Sequence, residues 1–425
     1  MECIIKSIGE LKALEFSEIK INAFWNTTKE KELKIHRIHA YPAKFPAFIT
    51  NKALEYARKH SIEPKIIADI FCGCGTVACE AKRNNIDFWG CDINPVATLI
   101  AKAKSRNYNI AKLEHYFHKI IENYENQLSN DINYKDANER IKYWYAEKEY
   151  INLFKLKRAI KNTIPANSAY NWFFLCAFSN ILKITSRWLT KSIKPQIDPY
   201  KKTRDVKSAF IEQCKFMIDA YQENEVGDAQ TEIVTGNFLS RFRRRPQVDM
   251  IITSPPYVTS YEYADLHQLS SLWLGYAEDY RSLREGSVGS LHHVYNFEKE
   301  YKKLNETGTK IVTQLFEKDK SKARSVAKYF LDMQKVIAAC DSMLNPNGMA
   351  LFVIGDTEYK GVRIENARHL CESLLSQGFK YITINKRKIS GKNLTPYRDK
   401  HGRFSSDETS KKIYSEEFII IGRKL

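Results

Sequence analysis

The sequence Ser254-Pro255-Pro256-Tyr257 is the strongest local constraint on how this chain can fold. It follows the apolar run from Val248 to Ile252, which is too short for a helix and predicts a buried strand. The two prolines donate no backbone hydrogen bond and restrict the residue before each of them. The chain must therefore leave the sheet in a stiff, extended turn. Such a turn can present a carbonyl, a hydroxyl and an aromatic ring to a ligand at the carboxyl edge of the strands.

The chemistry of this turn leaves two interpretations open. A rigid group of acceptors beside an aromatic ring suits a planar base that carries an exocyclic amine. A Pro-Pro turn after a strand is also a common loop that follows from ordinary turn chemistry alone.

A second unit of strand and turn favours the ligand-binding interpretation. The apolar run Ile66 to Ile70 leads into a turn from Phe71 to Thr76, whose two glycines permit the close approach of a ligand. The next predicted strand, Ile86 to Cys91, ends at Asp92, and an acid at that position can hold ribose hydroxyls. The turn lacks the third glycine of a dinucleotide site and the Gly-Lys-Ser/Thr ending of a phosphate loop. A nucleoside without a pyrophosphate therefore fits better than NAD or ATP.

Together these motifs resemble those of the S-adenosylmethionine-dependent amino-methyltransferases that act on nucleic acid. Residues 69–76 resemble the family's D-P-F-x-G-x-G-T cofactor motif, with Ile70 in place of proline. Residues 253–257 (Thr-Ser-Pro-Pro-Tyr) resemble its catalytic motif in the serine form, which is typical of cytosine-N4 enzymes, whereas aspartate is typical of adenine-N6 enzymes. Two further segments are similar to those that flank these motifs in the family, residues 39–46 and 261–275.

The resemblance implies the fold and its division into regions. We expect an α/β protein with the seven-stranded, Rossmann-like sheet of class I methyltransferases, an antiparallel final pair of strands, and a largely helical inserted target-recognition region. Alternating strands and helices in the sequence agree with a mainly parallel sheet covered on both faces. The expected regions are an N-terminal arm or lid (1–34), a discontinuous catalytic domain (35–104 and 231–425), a helical insert for target recognition (105–230) and a second insert within the catalytic domain (280–322).

The resemblance also implies the cofactor, S-adenosylmethionine, and a set of residues that bind it. The expected cofactor-binding residues are Lys44, Asp69, Phe71, Gly73, Gly75, Thr76, Asp92 and Asn237. Lys44 would meet the cofactor carboxylate and Asp92 its ribose. Asn237 stands where the family often has an acid for the adenine amine, and Asp69 is expected to organise the turn.

The expected catalytic residues are Ser254, Pro255, Pro256 and Tyr257. Cytosine N4 is a poor nucleophile because its lone pair is delocalised into the ring. The Ser254 hydroxyl and the Pro255 carbonyl would accept hydrogen bonds from the amine and free that lone pair for in-line attack. Tyr257 would stack on a base that has been flipped out of the duplex. The absence of a Pro-Cys dipeptide from the sequence argues against carbon-5 methylation.

We therefore expect a site-specific DNA methyltransferase that transfers a methyl group to cytosine N4 in double-stranded DNA, within a restriction-modification system. Its further expected partner is a restriction endonuclease that acts on the same site. Adenine-N6 methylation of DNA and amino-methylation of RNA stay open as alternatives. A non-catalytic nucleic-acid-binding module is a more distant one.

The charge of the chain agrees with a nucleic-acid partner. It has 67 Lys and Arg against 50 Asp and Glu, a net charge of +17 and a pI of about 9.2, and phosphate contacts supply most non-specific affinity for nucleic acid. Residues 191–207 carry six cations against two acids, and residues 241–245 carry four arginines. A solvated basic surface is the alternative for both segments. The residues expected to bind nucleic acid are Lys201, Lys202, Arg204, Arg243 and Arg244.

Cysteine and apolar patterns argue against other classes of protein. The nine cysteines include no C-x-x-C pair, so we expect reduced thiols and no metal site. His36 and His39 are expected to be polar loop residues. The densest apolar run, Trp172 to Phe178, is far shorter than the roughly 18 residues of a membrane span. Because the sequence shows no signal peptide, we expect a cytoplasmic protein.

Overall fold

The computed structural model describes residues 2–26, 31–224, 227–240, 245–258, 263–289, 295–389, 397–398, 404–405, 411–412 and 415–424. The strands are β1 (Cys3–Ile5), β2 (Ile66–Asp69), β3 (Asp87–Asp92), β4 (Thr231–Thr235), β5 (Val248–Thr253), β6 (Leu344–Ile354), β7 (Thr357–Tyr359), β8 (Val362–Ile364), β9 (Lys380–Lys388), β10 (Tyr397–Arg398), β11 (Phe404–Ser405), β12 (Lys411–Lys412) and β13 (Glu416–Arg423). The α-helices are α1 (Ile8–Ala13), α2 (Ala47–Lys59), α3 (Thr76–Arg83), α4 (Pro95–Lys104), α5 (Ile110–Glu125), α6 (Glu139–Trp144), α7 (Glu147–Thr163), α8 (Ala169–Ile181), α9 (Val206–Gln222), α10 (Tyr263–Leu266), α11 (Gln268–Leu274), α12 (Phe297–Glu300), α13 (Glu306–Lys318), α14 (Lys320–Met343) and α15 (Asn366–Ser376). Short 3-10 helices cover Ala23–Trp25, Lys34–Arg37, Tyr134–Asp136, Tyr280–Arg284 and Tyr301–Lys303.

An eight-stranded sheet lies at the centre of the fold, in the order β1-β9-β13-β6-β5-β2-β3-β4. The five strands from β6 to β4 are parallel, whereas β13 is antiparallel to both of its neighbours, β6 and β9. The central parallel strands β2 and β5 are mostly apolar because both faces of the sheet are covered there, whereas the edge strand β4 is only partly buried. The seven strands from β9 to β4 are the expected Rossmann-like sheet with its antiparallel end, so the predicted fold class is confirmed.

The first residues of the chain belong to this sheet. β1 pairs antiparallel with β9 and is the eighth strand. Ile21 makes a further bridge to Lys386, and Trp25 is fully buried. The expectation that residues 1–34 form an arm or lid is therefore wrong for residues 2–26. Their scattered apolar side chains pack into the core along the sheet edge, which short-range patterning does not reveal.

Helices cover both faces of the sheet. The helices α1, α13, α14 and α15 pack on one face, and α2 and α3 pack on the other. Alternate residues of β13 enter the two cores: Phe418 and Ile420 on one side, Ile419 and Ile421 on the other. Within the described residues, none of the helices combines the length and apolarity needed to cross a membrane.

A third apolar core lies among helices α5 to α9, which pack against α4 and α11. Its centre is α8, where Phe173, Phe174 and Phe178 are fully buried. The described part of residues 105–230 is thus largely helical. Its role in target recognition stays a prediction.

Candidate active site

The glycine turn between β2 and α3 is held in left-handed backbone conformations. Gly73 has φ +49° and Gly75 has φ +73°. A Cβ atom on Gly75 would lie 2.6 Å from the Cβ of Ala101 in α4, so this glycine allows the turn to pack against that helix. A Cβ on Gly73 would instead meet the ring of Tyr41 at 3.7 Å, which is ordinary contact. Of the two glycines, Gly75 therefore serves helix packing, and Gly73 faces the segment around Tyr41.

Asp92, at the end of β3, holds the glycine turn in place. Its Oδ2 accepts a hydrogen bond from the amide of Gly73 at 2.9 Å, and its Oδ1 accepts one from the amide of Asn94 at 2.8 Å. Burial raises the pKa of this carboxyl. Because an ionised carboxylate offers about four acceptor positions, each oxygen can accept a further hydrogen bond from a ligand hydroxyl.

Asp69 links the glycine turn to the strand of the Ser-Pro-Pro-Tyr motif. Its Oδ1 accepts hydrogen bonds from the Thr253 hydroxyl at 2.6 Å and from the Phe71 amide at 3.1 Å. Burial raises the pKa of Asp69 to about 7. The side chain thereby connects the ends of the neighbouring strands β2 and β5, as the expected organiser of the turn would. Thr76, the first residue of α3, is buried beneath the same turn.

Ser254 is oriented by the neighbouring strand. Its hydroxyl donates a hydrogen bond to the backbone carbonyl of Val353 in β6, at 2.9 Å. The serine is half-buried, and Pro255 behind it is buried. With its hydrogen directed at Val353, the Ser254 oxygen keeps its lone pairs for accepting hydrogen bonds.

Tyr257 is held by two residues from the C-terminal strands. Its hydroxyl donates to Oε2 of Glu417 at 3.1 Å, and Oε1 of Glu417 accepts a bond of 2.6 Å from the guanidinium of Arg387. Burial raises the pKa of Tyr257 well above its usual range, and the adjacent Glu417 carboxylate adds to the shift. The ring also packs close to Gly355, where a Cβ atom would lie 3.1 Å from it. No sequence signal identified Glu417 and Arg387, because both lie far from the motif along the chain.

An aromatic stack lies beside Gly73, and its residues belong to the two flanking segments, 39–46 and 261–275, that resemble those of the family. The ring of Tyr41 stacks on His267, with centroids 5.0 Å apart, and on Tyr263, at 6.3 Å. Burial lowers the pKa of His267 to about 4. These side chains bring the segment before the glycine turn together with the helices that follow the Ser-Pro-Pro-Tyr motif.

The expectation that His36 and His39 are polar loop residues is wrong. Nε2 of His36 lies 2.7 Å from Glu80, and Nε2 of His39 lies 2.9 Å from the Ser179 hydroxyl. Both rings are buried, and burial lowers the pKa of each, to about 3 for His39. The partners lie at least 44 positions away along the chain, so no local pattern indicated them.

One group in the described part of the chain has the geometry of metal ligands. Single ligand atoms of His36, Cys79 and Glu80 lie within 4.8 Å of one another. The Glu80 carboxylate already accepts two bonds from the guanidinium of Arg83, at 3.0 and 3.2 Å, and one from Asn51 at 2.9 Å. These contacts explain the cluster as a buried polar network. All nine cysteines are free thiols, as expected.

Two of the expected cofactor residues are engaged within the protein. The Lys44 ammonium donates to Glu32 and to the carbonyl of His36, both at 2.8 Å. The amide oxygen of Asn237 accepts from the Leu239 amide at 2.8 Å, and its nitrogen donates to the Gly286 carbonyl at 2.9 Å. Phe71 lies half-buried against the core.

The residues expected to bind nucleic acid differ in their surroundings. The Lys201 ammonium donates to the carbonyls of Lys183 and Trp188, at 2.9 and 2.7 Å, and burial lowers its pKa to about 8. Arg204 is exposed and pairs with Glu212 at 2.6 Å, whereas Lys202 is simply exposed. Arg243 and Arg244 lie outside the described residues.

Comparison with known sequences gives a family match and two relatives. The sequence profile of the N6/N4 DNA methylase family matches residues 8–103. The chain is 25% identical to the Type II methyltransferase M.MvaI of Kocuria varians over 399 residues, which covers 86% of each protein. It is 24% identical to the Type II methyltransferase M.MjaII of Methanocaldococcus jannaschii over 332 residues, which covers 56% of this chain and 62% of the relative.

Comparison with solved structures gives weaker likenesses. The rRNA methyltransferase aviRa of Streptomyces viridochromogenes has a TM-score of 0.27 and 11% identity, with 78% of this chain and 87% of that chain covered. An S-adenosylmethionine-dependent methyltransferase of Clostridium acetobutylicum has a TM-score of 0.23 and 6% identity, with 88% and 90% covered. At these scores the fold assignment rests on the strand order of the sheet itself.

Proposed function

We propose, from the premise that this chain belongs to the N6/N4 DNA methylase family, that it methylates the exocyclic N4 amine of cytosine at a specific site in double-stranded DNA. Family membership implies S-adenosylmethionine as the cofactor and DNA as the substrate. Both relatives are Type II methyltransferases, and we assign this chain to the same class. The choice of cytosine N4 rests on one observation, the serine at position 254, because the serine form of the motif is typical of cytosine-N4 enzymes.

The residues around the glycine turn suit a nucleoside cofactor. Gly73 combines a left-handed backbone with room for a close approach, since the nearest atoms that its Cβ would meet lie 3.7 Å away in Tyr41, and Asp92 keeps acceptor positions for ribose hydroxyls. We assign these two residues to the cofactor, with Phe71 and Asn237 as further candidates. Lys44 would have to exchange its partner Glu32 for the cofactor carboxylate. When bound, S-adenosylmethionine supplies an electrophilic methyl group.

The Ser254 turn would then prepare the target amine. The Ser254 oxygen, with its hydrogen directed at Val353, accepts a hydrogen bond from the amine. The Pro255 carbonyl is the second acceptor, and two acceptors together favour a tetrahedral nitrogen with a free lone pair. Tyr257 packs against the base, which must leave the duplex to reach this turn. The protein therefore acts through orientation and preorganised acceptors, without a covalent intermediate.

Adenine N6 is the second candidate, because it too is an exocyclic amine. An aspartate in place of Ser254 would bring a full negative charge to the amine, whereas the serine brings a neutral acceptor. The family correlation of the serine form with cytosine, together with this neutral acceptor, favours N4.

Nucleoside mass spectrometry of DNA from cells that express the chain tests the proposal. We expect N4-methylcytosine in cells with the wild-type protein and its loss with Ser254→Ala, which removes the oriented acceptor. Ser342→Ala, at an exposed serine of α14, is the matched control and should keep full methylation. N6-methyladenine alone would overturn the base assignment, and modified RNA beside unmodified DNA would overturn the substrate class.

The proposed function also suggests which region reads the target sequence and which protein is the partner. We propose that the helical region of residues 105–230 reads the target sequence, because it is the largest part outside the sheet domain. A restriction endonuclease of the same recognition site is the proposed partner in the cell. Co-expression tests it: methylation by this chain should protect DNA against that endonuclease and leave other sites open to cleavage.

A further inference from the structure

We propose that Tyr200 contacts the DNA directly, with its ring packed against a nucleotide while neighbouring lysines meet the phosphates. The inference rests on the proposed function, which supplies duplex DNA as the partner. Tyr200 is 92% exposed, the most exposed large apolar side chain in the described part of the chain. An aromatic ring so fully in water is available to a partner at no cost to the fold.

The segment that carries Tyr200, residues 183–204, is an ordered platform between α8 and α9. Its two arms are joined by backbone hydrogen bonds from Leu189 to Gln196 and from Asp198 to Arg187, both 2.8 Å long. Trp188 anchors the platform, because its ring is buried and stacks on Trp144 of α6 with centroids 4.9 Å apart.

The residues next to Tyr200 hold its turn in place. Oδ1 of Asp198 accepts a hydrogen bond from the Tyr200 amide at 3.1 Å, which closes a tight turn. Lys201 places its ammonium against the carbonyls of Lys183 and Trp188. Pro199 restricts the backbone further. A side chain presented from such a preorganised turn loses little entropy when a partner binds.

The charge around Tyr200 selects nucleic acid as the partner. Residues 183–207 contain eight Lys or Arg and two Asp. Lys191, Lys194 and Lys202 are exposed on the same segment. A basic surface that carries an exposed aromatic ring combines the two contacts that nucleic-acid-binding proteins use, charge for the phosphates and an aromatic ring for the bases.

Binding of a labelled, mixed-sequence DNA duplex by the full-length protein tests the inference. Tyr200→Ala should weaken binding by between about fivefold and about 150-fold, the range that the loss of one aromatic contact to a base produces. Tyr200→Phe keeps the ring and should bind within about twofold of wild type. Tyr381→Ala is the matched control: Tyr381 is 42% exposed on β9, outside the helical region, and its removal should leave binding unchanged.

The salt dependence of binding separates the ring from the charges. Lys202→Ala should reduce the slope of log K against log salt by about one unit, because one phosphate contact is lost. Tyr200→Ala should lower affinity with the slope unchanged, because the ring carries no charge. Equal duplex affinity of Tyr200→Ala and wild type would overturn the inference.

Two further measurements keep this result separate from the proposed function. If wild type binds the duplex but forms no N4-methylcytosine, the base assignment fails while the role of Tyr200 is still decided by the binding series. Sedimentation of wild type and Tyr200→Ala tests a protein partner instead. Self-association that is lost in Tyr200→Ala, with duplex affinity unchanged, would assign the ring to a protein interface and overturn the inference.

Discussion

Asp69 is the single residue that most closely joins the two turns of the candidate site. One oxygen of its buried carboxyl accepts from Thr253, before the Ser-Pro-Pro-Tyr turn, and from Phe71 in the glycine turn. Its pKa, about 7, lies far above the value of about 3.9 expected in the unfolded chain. The protonation state of one side chain therefore affects the stability of both turns.

Asp69→Asn should change how stability depends on pH. Between about pH 4 and pH 7 the folded protein keeps a proton that the unfolded chain has lost, so the contribution of Asp69 to stability falls as pH rises through that window. Asparagine mimics the neutral acid, and its Oδ1 can accept both hydrogen bonds. We expect Asp69→Asn to match wild type in thermal unfolding near pH 4 and to exceed it increasingly towards pH 8.

The informative quantity is the difference in thermal stability between Asp69→Asn and wild type at each pH, because the buried histidines titrate equally in both proteins. A constant difference from acid to neutral pH would show that Asp69 is ionised throughout.

Tyr257 offers a second test at the scale of one residue. Tyr257→Phe removes the hydrogen bond to Glu417 but keeps the ring, so we expect a modest fall in kcat, roughly fivefold or about 1 kcal/mol. Tyr257→Ala also removes base stacking, typically about 1–3 kcal/mol, and should lower turnover further with cofactor affinity unchanged. Single-turnover assays measure the rate of methyl transfer, and calorimetric titration measures the affinity for the cofactor.

Tyr301→Phe removes a tyrosine hydroxyl that bonds Thr313, on the second insert, and serves as the control. Equal loss of cofactor affinity in the Tyr257 variants would move this ring to the cofactor pocket.

Among the secondary-structure elements, the glycine turn and α4 depend on each other. Gly75→Ala would add a Cβ 2.6 Å from Ala101, in a backbone conformation that costs L residues about 1–2 kcal/mol. Gly361→Ala is the matched control, because Gly361 has the same positive φ with open space around it. We expect thermal unfolding to show a clearly larger loss for Gly75→Ala than for Gly361→Ala.

Ala101→Gly should restore little of the stability of Gly75→Ala, because the new Cβ would still lie 2.7 Å from the backbone Cα of residue 101. If Gly75→Ala and Gly361→Ala are equally stable and only cofactor binding is lost, Gly75 serves the ligand rather than the helix.

The elements themselves were largely predictable from the sequence. The segments 66–70, 86–91 and 248–252 are short, mostly apolar runs next to turn residues, and the structure forms β2, β3 and β5 there within one or two positions. These strands were predictable because an apolar run and the turn residues beside it are local features of the sequence. β1 escaped prediction because three residues at a sheet edge carry no period, and only the distant strand β9 makes them a strand.

Across the whole molecule, the contacts that shape the candidate site join distant parts of the chain. Tyr257 meets Glu417 across 160 positions, and His39 meets Ser179 across 140. A single sequence shows which residues have suitable chemistry but not which of them become neighbours. The motifs were therefore predictable, whereas the side chains that support them, such as Glu417 and Arg387, were not.

Gln268 is one of the contacts that couple the helical region to the rest of the molecule. The side chain is fully buried at the start of α11, which follows the Ser-Pro-Pro-Tyr turn along the chain. Its Oε1 accepts from Arg140 at 2.7 Å and from the Trp144 indole at 3.0 Å, both in α6. Its Nε2 donates to the carbonyl of Asp265 at 2.8 Å. One amide thus connects the proposed target-reading helices with those behind the Ser-Pro-Pro-Tyr turn.

Gln268→Leu should loosen this coupling. It leaves the buried Trp144 indole without its acceptor, at about 1–3 kcal/mol, and removes one acceptor from the half-buried Arg140 guanidinium, so thermal stability should fall. Because Trp144 loses its hydrogen bond, its fluorescence should change in the folded state. We further expect kcat/KM for DNA to fall more than cofactor affinity, since the misplaced region is the one proposed to hold the target.

Gln377→Leu is the matched control, because it makes the same substitution at an exposed glutamine. It should change neither the stability, the fluorescence nor the kinetic and binding parameters. A stability loss with DNA and cofactor parameters reduced equally would mean that Gln268 supports the fold as a whole, without coupling target reading to catalysis.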